Sequence, residues 1–355
     1  MCNNIDLSAY GLNGRFAALA AEYPGLTAAR IVAQEKGRYD LLSAWGEAPG
    51  AVSRRFRHAV QTVSEFPTVG DFVMTDWNPD GEAVIRHVLP RKSCLLRRAA
   101  GGTRQEQVVA ANVDTVFLCM ALDQDFNLRR LERYLALTWK SGASPVVVLT
   151  KADLCGNPAG RAAEASAAAL GADVLVTCAR EPDGWKQLLP WLGAGQTTAF
   201  LGSSGVGKST LINCLLGEAR QAAGDVRGDG RGRHTTTRRA LFRLPAGGLV
   251  IDTPGMRDLG LWDAGDGLDR TFSDVEALAA RCRFRDCTHT GEPGCAVAYA
   301  LETGSLAAER WKSYQKLRAE QDFAADSAGW LAAKERKFKE IARINKANRS
   351  RPSGK

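Results

Sequence analysis

The sequence predicts a multidomain protein in which a small β-barrel, an α/β phosphate-loop unit and a small, mainly helical Cys/His unit follow one another along 355 residues. Three observations carry that expectation. Short strand-like runs crowd into residues 29–98, apolar strands alternate with helical stretches through 105–270, and Cys282, Cys287, His289 and Cys295 gather within 271–329. Residues 1–28 precede these units as an Ala-rich, partly helical extension without identifiable chemistry, and 330–355 follow as a basic tail.

In the first unit the runs Ala29 to Gln34, Tyr39 to Ala44, Phe72 to Trp77 and Glu82 to Leu89 read as strands, and Asn78-Pro79-Asp80-Gly81 is a strong turn signal between the last two. Several short strands in so few residues suggest a barrel. In the second unit Val116 to Met120, Val146 to Leu149, Val174 to Val176, Thr198 to Leu201 and Leu249 to Ile251 read as strands. Helical stretches at Leu128 to Lys140, Arg161 to Leu170 and Ser209 to Leu216 lie among them. That alternation belongs to a doubly wound sheet, whose ligands sit at the strand ends.

The motifs of the second unit concern a nucleoside triphosphate. GSSGVGKST, Gly202 to Thr210, places Gly202 and Gly207 ahead of Lys208-Ser209 in the pattern of a phosphate loop. Its residues, Gly202, Ser203, Ser204, Gly205, Val206, Gly207, Lys208, Ser209 and Thr210, are candidates to bind the phosphates: backbone N–H groups cradle them, Lys208 reaches the β/γ-phosphates and the Ser209 hydroxyl ligates Mg²⁺. DTPG, Asp252 to Gly255, ends an apolar run where an Asp for the metal and a γ-phosphate-sensing Gly belong. Between the two lies His234-Thr235-Thr236-Thr237, a hydroxyl-rich stretch suited to closing on Mg²⁺; spacing does not decide among the threonines, and the Thr-Arg step favours Thr237.

TKAD, Thr150 to Asp153, sits upstream of the phosphate loop although a guanine reader ordinarily follows it. The Asp153 carboxylate accepts from guanine N1–H and the 2-amino group together, a pair adenine does not offer. Lys151, with Ala152 between it and Asp153, is expected to lay its methylenes along the base. Thr177-Cys178-Ala179, at the end of a second short strand, gives Cys178 and Ala179 as candidates for backbone contact with guanine O6. The motif order is that of a GTPase, circularly permuted.

With PTVGD (Pro67 to Asp71), AANVD (Ala110 to Asp114), TKAD, GSSGVGKST, GRHTTT (Gly232 to Thr237), DTPG and the Cys/His cluster in this order, the chain resembles the RsgA-type, YjeQ-like, circularly permuted GTPases of small ribosomal subunit biogenesis. The resemblance spans roughly Ala29 to Gln321. It implies that the barrel is an OB-fold, a frequent oligonucleotide binder whose face Arg54, Arg55, Arg57, His58, Arg91, Lys92, Arg97 and Arg98 are candidates to line. It implies the small subunit and its rRNA as partners, with GTP hydrolysis stimulated by the subunit and driving release from it. Met256, after DTPG, cannot hydrogen-bond a water, and His234 is the best replacement for the water-orienting Gln of other GTPases; the resemblance points to His234 as well. Thr150 departs from the more usual Asn as an accepted variant.

Three thiolates and one imidazole, Cys282, Cys287, Cys295 and His289, complete a tetrahedral zinc shell with no open position, the mark of one structural zinc per chain. Their spacing differs from common zinc fingers and matches the family's pattern. The other cysteines are scattered, which favours metal ligation and isolated thiols in a reducing cytoplasm over disulfides. No apolar run approaches the ~18–20 residues that span a bilayer, so no membrane partner is expected. A monomer is expected as well. The net charge of +8 is concentrated in 330–355, where nine Lys/Arg face Glu335 and Glu340, and such a tail suits a polyanion such as nucleic acid. Two rivals stay open: a GTP-gated RNA-binding module with incidental hydrolysis, and a phosphate-loop kinase or ATPase, which TKAD disfavours.

Overall fold

The computed structural model describes residues 5–35, 37–78, 80–98, 106–217, 239–252 and 266–325. The first of its strands, β1 (Thr27–Glu35), follows helix α1 (Gly14–Ala21), whose N-cap Asn13 side chain accepts from Phe16 N–H. The extension is helical as expected, and it has a packing role the sequence did not disclose. Phe16 is buried 4.5 Å, centroid to centroid, from Phe72, in an apolar cluster with Met74 and Leu89.

β1, β2 (Arg38–Ser43), β3 (Gly46–Val52), β4 (Phe72–Asp76) and β5 (Ala83–Val88) close a five-stranded barrel of OB type in the order β1-β2-β3-β5-β4-β1, with β3 and β5 parallel. β3 was not expected. Its GEAPGAV sequence contains Gly46, Pro49 and Gly50, residues that local propensity depletes from strands, and only the cross-strand pairing with β2 and β5 makes it one. Helix α2 (Arg54–Ala59), capped by the Ser53 hydroxyl, bridges β3 toward β4 and was likewise unforeseen, being too short for periodicity to register.

Beyond the barrel, β6 (Cys94–Arg98) and β7 (Glu106–Ala111) form a two-stranded ribbon. The α/β unit then runs β8 (Thr115–Ala121), α3 (Leu128–Ser141), β9 (Ser144–Thr150), α4 (Pro158–Ala168), β10 (Asp173–Val176), β11 (Thr197–Leu201), α5 (Lys208–Leu216), β12 (Arg239–Arg243) and β13 (Leu249–Asp252). β8, β9 and β11 are near-continuous apolar runs because helices or the barrel cover both faces of the sheet. Helix starts are set by short polar side chains: Asn127 caps α3, and Asn157 caps α4 with Pro158 in the first turn. Four helices complete the described chain, α6 (Asp266–Thr271), α7 (Ser273–Ala279), α8 (Ala296–Glu302) and α9 (Ala308–Ala325).

The sheet order is β10-β9-β8-β11-β13-β12, all parallel except β12. Counted from the phosphate-loop strand β11, that order reads 2-3-1-4-5-6, with β8, β9 and β10 taking the last three places although they come first in the chain. The permutation inferred from motif order is therefore visible in the strand connections. Barrel and sheet are continuous. β1 pairs with β12 through Ala33↔Ala240 and Gln34↔Arg239, and one apolar cluster runs from Ile31 and Leu41 of the barrel to Leu201 and Ile251 of the sheet.

PTVGD and AANVD supply the polar side of this junction. Gly70 takes φ 92° and a Cβ there would lie 2.1 Å from the Ala111 carbonyl oxygen, so only glycine admits the close approach. Asn112 Nδ2 donates to Gly70 O at 3.0 Å, and its Oδ1 accepts from Lys92 N–H at 2.9 Å. Asp114 accepts from Thr197 N–H at 2.8 Å and pairs with Lys92. Asp71, fully buried, receives Arg91 in a two-pronged pair, both N–O distances 2.8 Å, while the same guanidinium donates to Ser64 O and Phe66 O. Arg91 and Lys92 are therefore bound within the junction rather than lining an open face. The side chains of Arg97 and Arg98 lie outside the described set. A third cation of the junction, Arg30, is fully buried and donates to Tyr10 O and, at 2.8 Å, to Thr197 Oγ1; burial lowers its pKa to about 10 against the pull of Asp114 and Asp71.

The C-terminal helices dock on α3. Glu132 of α3 is completely buried and accepts from Arg129 at 2.7 and 2.8 Å and from Arg310 of α9 at 2.9 Å. Arg310 also forks onto Asp274 at 2.7 and 2.8 Å, and Arg133 of α3 pairs with Glu320 of α9. Ala136 of α3 packs into the apolar cluster of Leu268, Phe272, Val275 and Val297.

Removing one partner of a buried ion pair strands the other charge away from water. Arg91→Ala is therefore expected to destabilise the protein by about 3–5 kcal/mol. A fall in the urea midpoint of tryptophan fluorescence reads this out; an unchanged midpoint contradicts the role given to the Arg91–Asp71 pair.

Candidate functional site

The candidate residues converge on one edge of the sheet, at the carboxyl ends of parallel strands, where open α/β sheets bind ligands. β11 ends at Leu201 and the phosphate loop follows, leading into α5 at Lys208. Gly202 opens the loop with φ 154°, and a Cβ on it would fall 2.3 Å from the Cys119 carbonyl oxygen, so the chain leaves β11 along a path no side chain permits. Gly207, φ 97°, turns the loop into the helix, whose first N–H groups point at the mouth. Lys208 Nζ donates to Gly202 O at 2.7 Å and Ser203 O at 2.6 Å, which holds the ammonium across the loop entrance. Behind it Cys119 is buried, and burial raises its pKa to about 12 despite the nearby Lys208 charge.

β9 delivers TKAD beside this loop. Thr150 is buried, and its hydroxyl donates to the Val206 carbonyl oxygen at 2.6 Å. Its place is behind the phosphate loop, joining the two motifs, rather than open to a base. Lys151 adopts a left-handed backbone, φ 56°, and its ammonium bonds Asp123 Oδ2 at 2.8 Å. Asp123, just beyond β8, escaped the sequence reading; the available signal was a carboxylate directly after an apolar strand on the ligand edge. Burial raises its pKa, but the Lys151 bond and the Asp125 N–H more than reverse this, leaving it below its ordinary value.

Asp153 stands next to Thr177-Cys178-Ala179, which ends β10's segment. The Cys178 thiol donates to Asp153 Oδ1 at 3.2 Å, and the exposed Arg180 guanidinium lies 3.7 Å from Oδ2. Ala152 N–H donates to Thr177 O, and Thr177 Oγ1 donates to Gly184 O at 2.6 Å. The structure thus brings the two base motifs into contact, with the carboxylate of one set against the turn of the other. Asp252 closes β13 on the far side of β11. His234, Thr235, Thr236, Thr237 and Gly255 lie outside the described residues, as does the tail 330–355.

The Cys/His cluster forms a second centre. Ligand atoms of Cys282, Cys287, His289 and Cys295 all lie within 4.8 Å of one another. Cys282 Sγ is 3.9 Å from Cys295 Sγ, and His289 Nδ1 is 3.5 Å from each of those two sulfurs. The edges of a tetrahedron built on zinc–sulfur and zinc–nitrogen bonds are about 3.5–3.8 Å, so these donors fit zinc in both kind and spacing. Cys295 caps α8, accepting from Ala298 N–H, and His289 holds a left-handed φ of 60°. The intervening turn is tied by Glu292, whose carboxylate accepts from Thr288 N–H at 2.7 Å and Thr290 N–H at 2.8 Å. With the Thr288 hydroxyl as the leading cause, these bonds pull its pKa to about 2.

A central phosphate-loop strand, a base motif delivered from upstream in the chain, and the 2-3-1-4-5-6 order define a circularly permuted P-loop GTPase. Residues 88–262 match the family model described as RsgA GTPase. The chain is 45% identical over 321 residues to "Small ribosomal subunit biogenesis GTPase RsgA 2" of Lactiplantibacillus plantarum, covering 90% of each chain. It is 48% identical over 323 residues to the protein of Opitutus terrae called small ribosomal subunit biogenesis GTPase RsgA, covering 88% of each. Among solved structures it resembles YjeQ from Thermotoga maritima, with a TM-score of 0.62 and 26% identity over 83% of this chain and 98% of that one. It also resembles YloQ, described as a circularly permuted GTPase, with a TM-score of 0.59 and 25% identity over 84% and 96% of the two chains. The chain belongs to the RsgA family of circularly permuted GTPases, and it is a GTP-hydrolysing enzyme.

Thr150→Val keeps the shape of the side chain and removes its hydroxyl, leaving the Val206 carbonyl without a donor. A buried group so orphaned costs about 1–3 kcal/mol. Titration calorimetry is expected to show weaker binding of GTP and GDP alike, since the loop behind the phosphates loosens in both; unchanged affinity for either contradicts the link.

Proposed function

We propose that this GTPase binds the maturing small ribosomal subunit through rRNA, assists its late assembly and leaves when GTP is hydrolysed. The observation that carries this reading is that 41–48% identity to proteins named small ribosomal subunit biogenesis GTPases extends across barrel, GTPase and Cys/His units together, over 87–96% of the chain. The three working units are 29–98, 105–270 and 271–329, acting as a monomer in the cytoplasm; no helix among the described residues is long and apolar enough to cross a membrane.

Within the site, guanine is read by Asp153, with Lys151 and Ala152 beside it and the backbone of Cys178 and Ala179 at O6. The loop Gly202 to Thr210 holds the phosphates, with Gly255 toward the γ-phosphate. Ser209, Thr237 and Asp252 are the residues that would hold Mg²⁺, which neutralises charge developing on the transferred phosphate. Lys208 adds to that neutralisation, and His234 orients the attacking water. Cys282, Cys287, His289 and Cys295 hold one structural zinc, whose binding contributes folding free energy to the C-terminal helices.

Purified small subunits are expected to accelerate GTP hydrolysis and large subunits to leave it unchanged; equal rates with and without small subunits refute the reading. His234→Ala should still bind GTP but lose that acceleration, and a full response in this variant removes His234 from the chemistry. Asp153→Asn should weaken GTP and favour xanthosine triphosphate, whose ring presents a carbonyl in place of the 2-amino group. Cys287→Ala should lose the metal while nucleotide affinity changes little. Metal analysis that finds one zinc per chain in this variant, as in the parent, would contradict the ligand set.

A further inference from the structure

The segment that joins the first two cysteines of the cluster carries an aromatic ring between arginines. Arg281, Arg283, Phe284 and Arg285 are all exposed, and Phe284 keeps 44% of its surface in water, belonging to none of the apolar clusters. None of the three arginines forms an ion pair with another described residue. The backbone beneath them is tied on both sides: Arg283 N–H donates to Gly294 O at 3.2 Å, and Cys287 N–H donates to Phe284 O at 3.4 Å. The Arg283 guanidinium lies 5.6 Å from the centre of the Phe284 ring. The ring is therefore held outward by a tight turn rather than left over from a core.

An exposed ring is costly in water, and three cations with no ion pair among the described residues, against the single exposed Asp286, make this surface a poor match for a basic or apolar partner. Aromatic faces among arginines suit an unstacked nucleobase: the base stacks on the ring while guanidinium groups meet the phosphates on either side. A duplex, whose bases are already stacked, offers the ring nothing. We propose that Phe284, flanked by Arg281, Arg283 and Arg285, is a stacking knob that captures one unpaired base of single-stranded RNA. The ribosomal reading above supplies the natural source of such a strand, and the inference rests on it in that respect alone.

The test uses the full chain, with zinc content matched between variants, and a short single-stranded RNA bearing 2-aminopurine, whose fluorescence falls when it stacks. The parent is expected to bind and quench the probe. Phe284→Ala should lose the quench and bind about 5- to 150-fold more weakly, the range that one stacked base supplies, while Phe284→Tyr keeps both. Replacing Arg281, Arg283 and Arg285 together by Gln should lower the slope of log affinity against log salt by about 2. The proposal is overturned if the parent gives no quench, or if Phe284→Ala binds and quenches as the parent does. It is equally overturned if Phe284→Ala weakens binding to small subunits while binding the RNA probe unchanged, because the ring then meets protein. Failure of the ribosomal reading shows separately, as small subunits that do not accelerate the parent's hydrolysis.

Discussion

One strand edge is divided between two structures, and the rest of the molecule is arranged around that division. β1 gives one edge to β2 from Ala29 to Glu35, but its other edge serves β4 from Thr27 to Arg30 and β12 at Ala33 and Gln34. At the changeover Ile31 exchanges hydrogen bonds with the Gly70-Asp71 turn, its N–H donating to Asp71 O and its carbonyl accepting from Gly70 N–H, each at 2.9 Å. The first half of the strand thus closes a barrel and the second half extends a nucleotide-binding sheet. Unpaired backbone at such a crossing would be costly. Gly70, Asp71, Arg91, Asn112 and Asp114 together leave little of it unpaired, which accounts physically for two sequence motifs that contain no catalytic chemistry.

β12 has an unusual position as a result. One of its edges lies on β13, which ends in Asp252, and the other lies on the barrel. In the chain it begins directly after the segment that holds His234 and Thr235 to Thr237. Backbone hydrogen bonds of β12 therefore join the barrel directly to the strand that carries Asp252. The nucleotide site shows a comparable economy, since Thr150 uses its hydroxyl to fasten base motif to phosphate loop, so that neither can shift alone.

The features readable from sequence were those with long periodicity or strict local chemistry. The parallel strands β8, β9 and β11 announce themselves because burial on both faces demands unbroken apolar runs, and the phosphate loop does so because Gly202 and Gly207 adopt backbone angles that other residues resist. β3, α2 and β12 did not. Each is short, and each is fixed by what it pairs with or packs on rather than by its own composition. The same reasoning explains Arg91 and Lys92: a basic residue reads as exposed until a carboxylate distant in sequence, the buried Asp71 or the half-buried Asp114, is found opposite it. Lys151's partner Asp123 was hidden for that reason too.

The buried Glu132 carboxylate has a consequence for how the chain divides. Burial pushes its pKa up, against the opposing pull of Ser313, Arg129 and Arg310, and with no solvent exposure its charge is tolerated only with partners in place. One of those partners, Arg310, comes from α9, and Asp274 of α7 steadies it. A fragment cut before α9 would leave that carboxylate in a pocket opened to solvent on one side and short of one guanidinium. The C-terminal helices are thus not a detachable accessory hung on an independent nucleotide-binding module. In autonomy they count as part of it, and the smallest excerpt of this chain in which Glu132 keeps both guanidinium partners extends through Arg310.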